Sequence, residues 1–173
     1  MTDTRTRPQY DVPIPDRLRG LPRDPRGFII PYFVAWLADG KEVEPPNGTP
    51  DFRVLSVPRM YRCKRLKLCW LCGQKLGVHM TFAIGPMCAA TRTTLEPPSH
   101  HECAVYAIKV CPFLSRPAMR RNDVDLPEGR SMAGLSIDRN PGVIALWTTR
   151  SYRTFDAGKV PGCLLYTSDA ADD

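Results

Sequence analysis

The residues best suited to chemistry lie between Cys69 and Cys111, a stretch holding five of the seven cysteines and all three histidines. Cys69 and Cys72 form a C-x2-C pair followed by Gly73; Cys88 comes after fifteen further residues, then His100 and Cys103. Thiolates are soft donors that match Zn2+, and four of them, or three with one imidazole, close a tetrahedral structural site. A C-x2-C turn lets two sulfurs converge on one ion, and Gly73 supplies the left-handed backbone that such a turn often needs. The expected ligands are Cys69, Cys72, His100 and Cys103. Cys88 competes for the fourth place, since it could replace His100 and give a four-cysteine site. Cys63 falls six residues before Cys69, off the pair spacing, and reads as a buried thiol. Cys111 reads as core, and His79 as facing solvent.

Two elements must position these groups. Val78, Met80, Phe82 and Ile84 alternate with polar or small residues, which predicts a strand with one face on a core. Gly85-Pro86 then turns the chain and presents Cys88. Ser99 and Glu102 have the spacing of a capping box, which predicts a helix from His100 to Val110 that stops before Pro112. His100 and Cys103 are three apart and share a face of its first turn, while His101 lies on a different face. The positive end of the helix dipole favours a thiolate at Cys103. Knuckle, hairpin and helix together predict an α+β fold: a small zinc-stabilised, treble-clef-like unit with flanking β-hairpins.

The flanks are read in the same way. Gly27 to Val57 predicts a hairpin. One strand covers Phe33 to Leu37, Asp39-Gly40 gives the turn, and a loop follows over Pro45 to Pro50. A second strand then runs through Phe52, Val54 and Val57. Pro31 and Pro50 belong at strand ends or edges, where a missing N–H is tolerated. Asn140-Pro141-Gly142 is a turn, and Val143 to Thr149 a strand with Trp147 buried, onto which Tyr152 and Phe155 pair back. The expected organisation has five parts. Residues 1–26 form a disordered basic arm, and 27–115 carry the hairpin and the zinc domain. Residues 116–135 are a basic linker, 136–162 a truncated hairpin, and 163–173 a tail foreign to the rest.

Composition narrows the function. The chain has 173 residues, with 24 Lys and Arg against 18 Asp and Glu, a net charge of +6. Arg59, Arg62, Lys64, Arg65 and Lys67 surround a short helix just before the knuckle, a patch suited to tracking phosphates; a solvated face is the plainer reading. No run of eighteen apolar residues exists to span a membrane, and the first residues lack a signal-peptide pattern. Cysteines without an export signal argue for a reducing, cytoplasmic setting, where closely spaced cysteines serve metals more often than disulfides. No acid/base pair stands at a recognisable spacing, and no small-molecule site is evident. The expectation is therefore a zinc-stabilised binding protein whose partner is DNA, RNA or another protein. A redox role for Cys69 and Cys72 lacks the βαβ context that such pairs need.

Several motifs resemble those of known proteins. Pro50-Asp51-Phe52-Arg53, Cys69-Trp70-x-Cys72-Gly73, Gly85-Pro86-Met87-Cys88, Glu96-Pro97-Pro98-Ser99-His100 and Cys111-Pro112-Phe113-Leu114 resemble an uncharacterised family of actinobacterial and bacteriophage proteins. Arg139 to Val143 and Leu146-Trp147 fit it too, so the likeness covers roughly Gly27 to Phe155. It implies a phage or prophage setting rather than a mechanism. A second likeness is to treble-clef nucleases of the endonuclease VII and HNH kind, which pair C-x2-C with a G-x-x-C segment. Those carry an acidic-plus-histidine metal centre on the hairpin. Here His79 alone stands in that place, and Thr91 replaces the second cysteine of the helix pair. A metal-assisted nuclease is thus the alternative reading. Finally, Cys163 to Asp173 resembles a translated sequencing adapter. Without its Asp169, Asp172 and Asp173 the chain has 24 basic against 15 acidic residues, a net +9, and the natural chain is expected to be cut near Gly162.

Overall fold

The computed structural model describes residues 12–122, 124–126, 139–156 and 164–167. Helix α1 (Asp16–Arg19) is a single turn that buries Leu18. Strand β1 (Val34–Ala38) turns at Asp39 and Gly40 into β2 (Lys41–Val43). Both turn residues have positive φ, 50° and 71°, the backbone that a two-residue hairpin turn requires. Strand β3 (Thr49–Leu55) runs along the other edge of β1, giving an antiparallel sheet of order β2-β1-β3. Trp36 faces Val43 on one side and Pro50 on the other. Pro50 is on an edge strand, where its missing N–H breaks no ladder bond. Ile30, Val34 and Trp36 form the core of this sheet, with Phe33, Val43 and Phe52 packed on it.

The expected hairpin is therefore a three-stranded sheet, and its second long strand ends earlier than expected. Val57 opens helix α2 (Val57–Leu66) because Ser56 caps it: the Ser56 hydroxyl accepts from the Arg59 N–H, and Pro58 sits in the first turn. Both are strong helix-start signals. Residue Lys67 ends α2 in the left-handed region.

Next come β4 (Met80–Ile84), α3 (Pro86–Thr91), α4 (His101–Val110), α5 (Pro112–Ser115) and β5 (Ala145–Thr149). Strand β4 pairs antiparallel with β5, Phe82 opposite Trp147. The expected alternation along β4 fails: Met80, Thr81, Phe82 and Ile84 are all buried, and Val78 is exposed outside the strand. Both edges of β4 are used, since Thr81 and Ser99 exchange N–H to carbonyl bonds at 2.8 Å on the side away from β5. The buried Thr81 hydroxyl meets that of Thr148 at 2.9 Å, which satisfies it. Phe82 stacks on Trp147 at 5.1 Å and meets Tyr152 edge-on at 5.5 Å, both favourable ring geometries.

Tyr152 and Phe155 do not pair back onto β5, whose strand partner is β4. Instead β6 (Arg153–Asp156) pairs with β7 (Leu164–Thr167), which belongs to the expected foreign tail. The expected disordered arm is also ordered where it is described. Leu18 is buried, and Ile14 and Leu21 pack with it against Cys69, Leu71, Cys72 and Cys103. Three apolar residues with a place to dock offset the entropy that a purely polar arm could not. The rest of the arm, residues 1–11, lies outside the described residues.

The first part of the expected linker is fastened by Asn140. Its side-chain amide lies 2.6 Å from the Phe113 carbonyl, 3.1 Å from that of Leu114 and 3.0 Å from that of Arg116. Its backbone N–H donates to Met119. One buried amide thus serves carbonyls left over at the end of α5. Residues 123 and 127–135 of the linker, and 136–138 at the start of the expected truncated hairpin, lie outside the described residues.

Candidate metal centre

The knuckle is a tight hairpin. Leu68 and Lys75 form an antiparallel bridge, the Cys69 N–H donates to the Gln74 carbonyl at 2.8 Å, and the Gly73 N–H returns to the Cys69 carbonyl at 2.7 Å. Gly73 has φ +75°, and a Cβ there would lie 2.8 Å from the Tyr32 ring. Backbone conformation and space both require glycine. Two cysteines are thereby turned toward one point.

The start of α4 supplies the other two groups. His100 is the N-cap residue and Cys103 is the third residue of the helix. The expected capping box does not form. Ser99 is engaged with β4 through its backbone, and Glu102 bonds Arg17 at 2.9 Å. Pairing to the strand takes Ser99 out of the cap position and moves the cap on by one residue, to His100.

Cys69, Cys72, His100 and Cys103 converge, all four buried, with ligand atoms within 4.8 Å of one another. His100 Nδ1 lies 3.4 Å from the Cys72 sulfur and 4.0 Å from that of Cys103. Its other nitrogen, Nε2, is 3.0 Å from the Lys75 carbonyl. A carbonyl only accepts, so Nε2 carries the hydrogen and Nδ1 keeps its lone pair toward the sulfurs. Histidine ligands of metals are commonly oriented in this way.

The four groups are close enough to shift one another's proton affinity. Hydrogen bonds from Cys103 and Cys72 pull the Cys69 thiol far down, against the effect of burial. Cys103 is pushed up because it donates to Cys69, then by Cys72 and by burial. Cys72 is pushed up to about 11: the bond from Cys103 lowers it, but donating to Cys69 and burial outweigh that. His100 is raised, chiefly by its bond to Cys69. One thiolate thus draws protons around itself, and a divalent cation would displace them. The cluster can hold a metal ion.

The structure separates the competing cysteine from this cluster. Cys88 lies on α3 against Phe82 and Ile84, with Trp147 and Tyr152, and burial raises its thiol. It belongs to a different core. Cys63 is buried, and burial pushes it up to about 12. Cys111 is half-buried and caps α5. His79 is exposed beside Arg150, whose Nε lies 3.5 Å from His79 Nε2. His101 is exposed on α4.

The basic patch is smaller than expected. Arg62, Arg65 and Lys67 are exposed and Lys64 is half-buried, but Arg59 is buried. Its guanidinium donates to the carbonyls of Tyr32 and Val34 at 3.0 and 3.1 Å and pairs with Glu44 at 3.3 Å. It also lies over the Tyr32 ring. Arg59 is a strut between α2 and β1, not a free surface cation. Its spacing of four from buried Cys63 carried that signal, since both fall on one helix face. The Lys75 carbonyl that orients His100 had no sequence signal, being main chain.

Among the described residues no helix is long and apolar enough to cross a membrane. Compared with protein-family models, with curated proteins and with solved structures, the chain gives no match.

Proposed function

We propose that the chain is a structural-zinc protein whose basic surface binds DNA or RNA without catalysing a reaction on it. The buried cluster of three thiols and one imidazole carries this reading. That donor set suits Zn2+ better than hard cations, and four protein ligands leave no coordination position for a substrate. Two ligands from a knuckle and two from the start of a helix support a treble-clef-like unit, in which β4 takes its antiparallel partner from β5, beyond the helix, instead of from a hairpin between knuckle and helix. The net charge of +6 and the exposed cations of α2 support the nucleic-acid partner. The motif resemblance to phage and actinobacterial proteins supports a phage or prophage setting.

Cobalt replacement tests the metal site. The Co2+-loaded chain should show the intense spectrum of a tetrahedral thiolate complex; a weak octahedral spectrum would contradict a closed site. For the partner, affinity for DNA or RNA should fall steeply as salt rises. Binding absent at low salt would remove the nucleic-acid half of the proposal and leave the zinc half standing.

A further inference from the structure

Phe52 to Leu95 contains eight lysines and arginines and no aspartate or glutamate. Two of these cations are occupied within the fold: Arg53 pairs with Asp51, and Arg59 is the strut described above. The cations of α2 are different. Among the described residues no acidic group forms an ion pair with Arg62, Lys64, Arg65 or Lys67. Elsewhere exposed arginines find carboxylates, as Arg17 does with Glu102 and Arg26 with Asp24.

The outward face of α2 also presents an aromatic ring. Tyr61 is 46 % exposed, and Val57 one turn before it is 51 % exposed. Val57, Tyr61 and then Lys64 and Arg65 follow helical spacing on one face, with Arg62 at its side. Among the described residues the Tyr61 ring stacks on no other aromatic side chain. The face therefore offers a bare ring flanked by uncompensated cations. Beyond Val57 and Tyr61 it has too little apolar area to enter a lipid surface. Arg62 and Arg65 could read guanine edges in a duplex groove, but the exposed ring of Tyr61 has no role there. A ring between cations suits bases that are free to leave their own stack.

We infer that the outward face of α2 binds single-stranded nucleic acid, with Arg62, Lys64 and Arg65 on phosphates and a base stacked on Tyr61. This rests on the nucleic-acid reading above and specifies the form that is bound. The metal centre holds the platform in place. The Leu68 N–H donates to the Cys63 carbonyl and the Leu76 N–H to the Lys67 carbonyl, each at 2.9 Å, so the knuckle hairpin clamps the end of α2.

The test is fluorescence anisotropy of the full zinc-loaded chain with labelled oligothymidine and with a duplex carrying the same number of phosphates. Oligothymidine should bind at least about tenfold more tightly. Tyr61→Ala should weaken that binding about tenfold, the worth of one stacked base, and leave the salt slope unchanged. Tyr61→Phe should restore it, which a merely structural role for the hydroxyl would not allow. Arg62→Ala with Arg65→Ala should weaken binding and flatten the slope by about 0.7 for each phosphate no longer neutralised. Duplex bound as tightly as single strand, or Tyr61→Ala without effect, would overturn this inference and spare the broader reading. No binding of either nucleic acid, with or without binding to anionic phosphatidylserine vesicles, would overturn both.

Discussion

Two small cores in this protein are built around cysteine, and they cohere for different reasons. One gathers Leu18, Ile29, Cys69, Leu71, Cys72 and Cys103. Half of its buried members are thiols aimed at a single point, so its centre is polar. The other gathers Phe82 and Ile84 with Cys88, Trp147 and Tyr152. Its centre is aromatic, and its cysteine packs as a small hydrophobe. Convergence, rather than the presence of cysteine, separates a site from a core. The first core presents a donor set that can hold a metal ion, and the second coheres through buried ring area.

Removing the metal tests that contrast most severely. Structural zinc contributes on the order of 10 kcal/mol or more to small domains, comparable with the whole stability of a typical domain. Chelation, or Cys69→Ser, should therefore unfold the knuckle and the start of α4 while the core of Phe82 and Trp147 stays packed. Far-UV circular dichroism unchanged after metal removal would break the contrast.

The converse perturbation is Phe82→Ala, which should cost about 3–5 kcal/mol in denaturant unfolding while the chain keeps its metal. If metal were lost as well, the two cores would be one cooperative unit. A smaller effect is expected at Asn140, which fastens the end of α5 to the segment before β5. Asn140→Ala leaves buried carbonyls without their donor and should cost about 1–3 kcal/mol. A cost near zero would show that solvent reaches those carbonyls.

The smallest effect concerns pH. Burial pushes Glu96 up to about 7 from the usual 4.5, against the pull of Arg121. The folded chain then holds this proton more tightly than the unfolded chain does. Its contribution to stability is present in full below the unfolded value of 4.5, declines as pH rises toward about 7, and is level above that. Glu96→Gln is neutral throughout and should escape that decline, so its stability advantage should grow across this window. An advantage independent of pH would contradict the assignment.

Much of this was legible in the sequence where chemistry and local spacing coincide. The Cys69–Cys72 pair and the three-residue step from His100 to Cys103 pointed to the same four residues that the fold brings together. The extent of α4 was read from the Ser99–Glu102 spacing and from Pro112; its end fell where Pro112 put it, and its start lies within one residue of the reading although the cap itself moved to His100. Tertiary pairing decided the rest. Ser99 was read as a cap, but its backbone is claimed by β4. The alternation from Val78 was read as a half-buried strand, but β4 has both edges occupied and buries a threonine by pairing it with Thr148. β2 has only three residues, too few to show a period. The docking of Leu18 and the role of the Lys75 carbonyl depend on groups distant in sequence, which no local pattern records.

The most direct test is metal content by plasma mass spectrometry on chain purified under reducing conditions, with Cys88→Ser and His100→Ala measured beside it. One zinc per chain is expected in the wild type and in Cys88→Ser, and loss of zinc in His100→Ala. Zinc lost from Cys88→Ser but kept by His100→Ala would contradict the ligand set, and no zinc in the wild type would contradict the metal centre itself.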